Sequence, residues 1–346
     1  MNATRRHFLQ GSLAATTGLA LDATTTHAAA PPKLRFGTLV PKGSSYYLEL
    51  QKMGEAWRTA SAGKHSLTIY ADGSMGGEIE MVRRIRLGQL QGGLLTVLGL
   101  TSIEPDVGGL QNLPLMFRDL EDVDYVGDKL QPALEKKLEA KGFVVLFWGD
   151  AGWVRYFSNK PVRTPDDMKR LKVWSWAGDV EQFELMRRLG MNPVSLEVAD
   201  ILPGLKTGLI DAVAMPPFAA LAAQVDLAAP HMLELNYAPL VGAAVITKKV
   251  WDELPPALQT AMLASAKIAG AEIKREGRKE ALESVAAMQK RGLKVVKPTS
   301  AEIAEWEKLM QSAYPTIRGK LVPVDIFDEA KRLLDERHAA QGVRTP

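Results

Sequence analysis

The chain has 346 residues, 46% of them hydrophobic and 24% charged, with a formal net charge of +3 and no cysteine. That length and apolar content suit one large or two medium domains with a sizeable core. Basic and acidic residues are interspersed, which argues against a nucleic-acid surface, and the missing cysteines exclude disulfides, thiolate metal sites and a cysteine nucleophile.

Residues 1–30 read as an export signal: Thr4-Arg5-Arg6-His7-Phe8-Leu9 has the twin-arginine pattern, an uncharged stretch runs from Gln10 to Leu21, and small residues end at Ala28-Ala29-Ala30. The uncharged stretch falls short of the ~20 apolar residues of a membrane span, and no other segment approaches one. A strand over Leu34–Leu39 and a turn at Pro41-Lys42-Gly43 come next. A helix from Ser45 to Ala60 follows, capped by Ser44 or Ser45, with apolar positions Leu48, Met53 and Trp57. Leu67–Tyr70 alternates as a strand, and Glu78–Leu87 is an amphipathic helix with Ile79, Val82 and Ile85 on one face, ended by Gly88. This alternation predicts a parallel α/β sheet. Gly92-Gly93 before an apolar run predicts a close backbone approach to a sheet or ligand.

Asp119–Lys141 is a charged helix, Phe143–Trp148 a strand covered on both faces, and Val154–Ser158 a separate strand. Thr164-Pro165-Asp166-Asp167 opens a short helix with a cap and an acidic first turn. Lys172–Trp176 is a strand, Val180–Leu189 and Glu197–Leu205 are helices, and Ile210–Ala214 is a strand. His231 falls in a loop. Pro255-Pro256 starts a helix running to about Lys290, long enough to span more than one domain. A strand at Lys294–Val296 and helices around Ala301–Gln311 and Phe327–His338 finish the chain. Without a Gly/Ser linker, two domains must be joined by elements that cross between them, as in a hinged pair.

Catalytic signatures are missing. No histidine pair has helical metal-site spacing, and there is no nucleophile elbow, Walker loop or dinucleotide fingerprint. No carboxylate pair stands out, so neither an enzyme nor a cofactor or metal site is expected. Asp179 and Glu181 suit a helix N-terminus. Aromatic clustering does stand out: Trp148, Trp153, Trp174 and Trp176 lie within 29 residues, at predicted strands. Pleat alternation puts Trp174 and Trp176 on one side of their strand, and ligands of α/β sheets bind beyond strand carboxyl ends.

Several stretches together resemble the solute-binding subunits of TRAP (tripartite ATP-independent periplasmic) transporters, of the C4-dicarboxylate-receptor type. They are LRFGTLVPKGSSYY at 34–47, which contains Tyr46, YADGSMGGEIEMVRRIRLGQL at 70–90, LPLMFRDLEDVDYV at 113–126, SNKPVRTPDDMKRLKVW at 158–174, LGMNPVSLEVADILPGLKTGLIDA at 189–212 and ITKKVWDELPPALQTAM at 246–262. The resemblance implies an α/β fold of two domains of the periplasmic-binding (flytrap) kind, with crossing strands and a long helix spanning both. It places domain I at 33–153 plus about 241–285 and domain II at 154–240 plus about 286–340, with the ligand cleft between them. It also implies delivery of an organic acid to a membrane permease.

Carried over position by position, the resemblance implies a re-lined cleft. The family's clamp arginine matches Trp174, and a second arginine matches Val154 with Arg155 beside it. An asparagine matches Met215, followed by Pro216-Pro217-Phe218, and polar positions match Leu39 and Thr96. A one-residue bulge would return Arg155 to the cleft; without one it faces away. Replacing a bidentate arginine by tryptophan removes the carboxylate clamp and adds about 200 Å² of stacking surface. The expected ligand is therefore an organic acid larger, more aromatic or more apolar than a C4-dicarboxylate. The expected contacts are Arg155, Trp174, Trp176, Met215, Phe218, Thr96, Leu39, Tyr46 and Trp153. The alternatives are a carrier of a neutral or lipid-like molecule and the ligand-binding partner of a sensor.

Overall fold

The computed structural model describes residues 33–341, so the export segment lies outside the described residues. Nine strands build one sheet: β1 (Lys33–Thr38), β2 (Ser66–Tyr70), β3 (Gly92–Thr96), β4 (Phe143–Ser158), β5 (Lys172–Trp176), β6 (Asn192–Leu196), β7 (Ala212–Met215), β8 (His231–Thr247) and β9 (Lys294–Val296). Their order is β2-β1-β3-β8-β4-β7-β5-β6, with β9 beside β8. β1 pairs in parallel with β2 and β3, and β5 with β6 and β7. Between these parallel flanks run β4 and β8, long, antiparallel and paired from end to end except at three register shifts. Each flank with its helices is one lobe, and β4 and β8 cross from one lobe to the other.

The helices are α1 (Ser45–Ala60), α2 (Glu78–Arg86), α3 (Val97–Thr101), α4 (Leu120–Ala140), α5 (Pro165–Lys169), α6 (Val180–Arg188), α7 (Ile201–Thr207), α8 (Pro217–Ala222), α9 (Val225–Ala228), α10 (Lys248–Asp252), α11 (Pro256–Lys290), α12 (Ser300–Lys320) and α13 (Val324–Ala340). Caps explain the starts of several: Ser44 accepts from Tyr47 N at α1, and Thr164 and Thr299 form capping boxes at α5 and α12. At 35 residues, α11 is roughly 50 Å long. It packs on α1 in the first lobe, on β4, and on α8 in the second. Gly277 permits this approach, because a Cβ there would lie 2.0 Å from the Tyr46 hydroxyl. Arg278 then joins three elements, reaching Asp124 of α4 at 2.6 and 3.0 Å and Asp150 of β4 at 2.8 and 3.2 Å. No described helix is long and apolar enough to cross a membrane.

The structure departs from the sequence reading in a few places. The two strands expected at 143–148 and 154–158 are one strand, β4, because Gly149 and Asp150 stay paired with β8 and Ala151-Gly152 passes through the sheet as a bulge rather than turning the chain. β6 occupies residues 192–196, for which the sequence predicts no element, and Glu197 precedes a short 3-10 turn and α7. His231 opens β8 rather than lying in a loop. Leu48 and Ile79 are exposed, and the buried faces of α1 and α2 are carried by Leu50, Met53 and Trp57 and by Met81, Val82 and Ile85. Gly92-Gly93 does mark a tight approach: a Cβ on Gly92 would stand 2.1 Å from the Val245 carbonyl oxygen of β8.

Candidate ligand-binding site

Between the lobes lies a cavity of about 190 Å³. The first lobe contributes Leu39, Val40 and Pro41 after β1, Thr96 at the end of β3, and Gln111, Asn112 and Pro114. The second contributes Val154 and Tyr156 of β4, Trp174 and Trp176 of β5, Gln182, Leu185 and Met186 of α6, Met215 at the end of β7 and Phe218 in α8. The strand ends supply the walls, as the position of ligands in α/β sheets requires. Among the described residues lining the cavity, none carries a charge.

Trp174 and Trp176 lie on one side of β5, with ring centroids 4.7 Å apart and planes tilted by 58°. Trp174 is 4% exposed, and its indole N–H donates to the Leu196 carbonyl at 3.0 Å. Its polar handle is therefore spent within the protein, and it offers the cavity only ring surface. Thr96 is similarly committed. Its hydroxyl donates to Glu78 Oε2 at 2.7 Å, and its amide donates to Glu78 Oε1 at 2.8 Å. Burial pushes the Glu78 carboxyl up despite these bonds and one from the Gly99 amide. Gln111 accepts from the Val241 amide at 2.9 Å.

Tyr156 and Tyr237 form the polar end, with ring centroids 5.2 Å apart and near edge-on. Burial raises both phenol pKa values, so both remain neutral hydroxyls. Neither tyrosine was singled out in the sequence, and the only signal available was the alternation that places Tyr156 two residues from Val154. Ile317 and Leu321, which close one wall, were also missed. They sit there because α12 breaks at Arg318 and Gly319 (φ 98°), where the Gly319 amide donates back to the Val322 carbonyl at 2.7 Å.

Of the nine expected contacts, Trp174, Trp176, Met215, Phe218, Thr96 and Leu39 meet at this cavity, whereas Arg155, Tyr46 and Trp153 do not line it. Trp153 pairs with Pro239 and packs at the edge of the first-lobe core. Tyr46 is 4% exposed behind Phe218, the two rings stacked at 4.7 Å and 15°. Arg155 stands opposite Met215 in the β4–β7 ladder, beside a break in the β4–β8 register between Val154 and Tyr156. Its guanidinium donates to Asn236 Oδ1 at 2.6 Å. Burial lowers its pKa to about 10, opposed by Glu234, which itself pairs with Lys297 at 3.4 Å.

Comparison with known proteins agrees with this architecture. The family model for DctP, bacterial extracellular solute-binding protein family 7, matches residues 36–320. The 2,3-diketo-L-gulonate-binding periplasmic protein YiaO of Escherichia coli is 28% identical over 255 residues, 72% of this chain and 76% of its own length. The C4-dicarboxylate-binding periplasmic protein DctP of Rhodobacter capsulatus is 26% identical over 333 residues, 92% of this chain and 95% of its own. Among solved structures, a TRAP periplasmic solute-binding protein from Haemophilus influenzae with bound L-gulonate superposes with a TM-score of 0.80 at 20% identity, covering 88% of this chain and 99% of that one. With the two-lobed fold, the crossing strands and the matched span together, this chain belongs to the bacterial extracellular solute-binding proteins of family 7, a family of binding proteins rather than enzymes.

Proposed function

We propose that this protein is the periplasmic solute receptor of a TRAP-type secondary transporter and that its solute is an organic acid built on one flat ring. The observation that carries the reading is the cavity of about 190 Å³ walled by Trp174, Trp176, Met215 and Phe218. An apolar cavity of ~150 Å³ accommodates benzene, so this space suits one ring with a short substituent. The acid class is supported by relatives whose names and bound ligands are sugar acids. The apolar walls separate the body of this ligand from theirs.

Arg155 is the residue we assign to the carboxylate. It is a half-buried cation whose guanidinium donates to the neutral amide of Asn236, and although it does not itself line the cavity it stands opposite the lining residue Met215 in the β4–β7 ladder. A ligand carboxylate would offset the cost of burying that charge. Lobe boundaries at residues 153/154 and 240/241 put the hinge in β4 and β8, and export through the twin-arginine signal would place the receptor where a membrane permease can receive its cargo. A second reading, a neutral ring compound, is favoured by the uncharged lining.

A thermal-shift comparison of benzoate, benzamide, succinate and L-gulonate separates these readings. Benzoate is expected to stabilise the protein by ~2.7 kcal/mol at 100 times its dissociation constant. Arg155→Ala is expected to abolish that shift. Stabilisation by benzamide that survives Arg155→Ala, without any from benzoate, would establish the neutral reading instead. Lipid in a solvent extract of the purified protein would point to a hydrophobic-molecule carrier.

A further inference from the structure

Behind the Phe218 wall lies a second, smaller hollow of about 70 Å³, whose lining includes Tyr46, Leu95, Ala151 and Ile273. It shares Leu39, Val40, Thr96, Phe218 and Leu240 with the main cavity, so those residues form the partition between the two spaces. The other four partition residues lie in strands or just beyond a strand end. Phe218 is different: it stands at the start of a six-residue helix and spans the partition with one ring.

That ring is held from behind. Tyr46 stacks on it at 4.7 Å and 15°, and the Tyr46 hydroxyl donates to the Asp150 carbonyl of β4 at 3.0 Å. Gly277 of α11 leaves no room behind the hydroxyl. Tyr46 is thus fixed by a helix, a crossing strand and the spanning helix, and it passes that rigidity to Phe218.

We propose that the Phe218–Tyr46 stack is a length gauge: Phe218 is a specificity-determining residue that closes the main cavity against the hollow behind it, and Tyr46 is the positioning residue that keeps it closed. The ligand-length consequence rests on the ring-acid reading above; the partition itself does not. With the ring in place, the solute is confined to the main cavity. With it removed, the two spaces join and a longer side chain gains an apolar channel.

The test is a binding series of benzoate, phenylacetate, 3-phenylpropionate and 4-phenylbutyrate on the full mature chain. Wild type is expected to lose affinity at least tenfold from the best short member to 4-phenylbutyrate. Phe218→Ala, or the milder Phe218→Leu if the first does not fold, is expected to shift that ratio at least tenfold towards the long member. Tyr46→Leu should shift it the same way, and Tyr46→Phe, which keeps the ring, should stay within twofold of wild type. A purely structural role for Tyr46 would lower stability in both Tyr46 variants without moving the ratio. An unchanged ratio in the Phe218 variants overturns the proposal. Should wild type bind none of the series, the ring-acid reading fails, and xenon-pressurised crystals then decide the partition. The proposal requires two separate xenon positions in wild type and a connected site in the Phe218 variant, and it falls if the two crystals show the same occupancy.

Discussion

Trp174→Ala is expected to remove ligand binding and to destabilise the fold by about 3–5 kcal/mol, the usual range for deleting a buried tryptophan. Three losses combine. The side chain belongs to the second-lobe core with Phe157, Val213 and Met215. Its N–H leaves the Leu196 carbonyl of β6 without that donor. Its ring is also the partner against which Trp176 leans. Because stability and binding fall together here, Trp176→Ala is the sharper comparison. Trp176 is only half-buried and packs at the edge of the same core. Its truncation should cost less stability, yet still weaken a stacked ligand at least tenfold, or about 1.4 kcal/mol. Urea unfolding and equilibrium titration of both variants measure the two effects. Unchanged affinity in Trp176→Ala would remove stacking from the account.

Arg278→Ala should be nearly as damaging, without touching the cavity. The Asp150 side chain is 5% exposed and that of Asp124 31%, so removing their shared cation leaves one carboxylate fully buried and another half-buried. Breaking a buried pair in this way typically costs about 3–5 kcal/mol. The penalty should depend on pH. Burial alone would raise the Asp124 carboxyl, but bonds from Arg278 and Lys274 outweigh it and hold the group below the usual carboxylate range. A depressed carboxyl contributes stability above its unfolded pKa and loses it as pH falls through the folded one. The difference between wild type and Arg278→Ala should therefore be full at pH 7 and shrink as the medium is acidified below about pH 4. An equal difference at pH 7 and pH 3 would show that Arg278 acts by packing rather than charge.

Elements governed by local chemistry could be read from the sequence. The caps of α1 and α5 were visible as Ser44 and Thr164, and α11 followed from Pro255-Pro256 and the unbroken run after it, whereas the Thr299 cap of α12 was missed. Strands that carry proline could not. β6 contains Pro193 and is tolerated because it is the last strand of the sheet, where a missing donor costs no ladder bond on the open side. β8 contains Pro239 opposite Trp153, next to a break in the β4–β8 register. Such a strand reads as a loop until its partner is known.

The site divides along the same line. Trp174 and Trp176 were placed on one side of their strand by period alone. Tyr156 and Tyr237 come together only because the β4–β8 register jumps between Val154 and Tyr156. Ile317 and Leu321 arrive from a helix break more than a hundred residues downstream of Trp176. Tyr46 looked like a contact because it lies in a family-like stretch, whereas α11 presses it into the layer behind Phe218.

The central claim is that a family 7 receptor has had its polar cleft re-lined for a ring-bearing acid. Isothermal titration of the mature protein with phenylacetate and with succinate, on the same preparation, tests it most directly. Phenylacetate is expected to bind at least 100-fold more tightly, a difference of about 2.7 kcal/mol. Succinate binding as tightly as phenylacetate, or more so, would contradict the account.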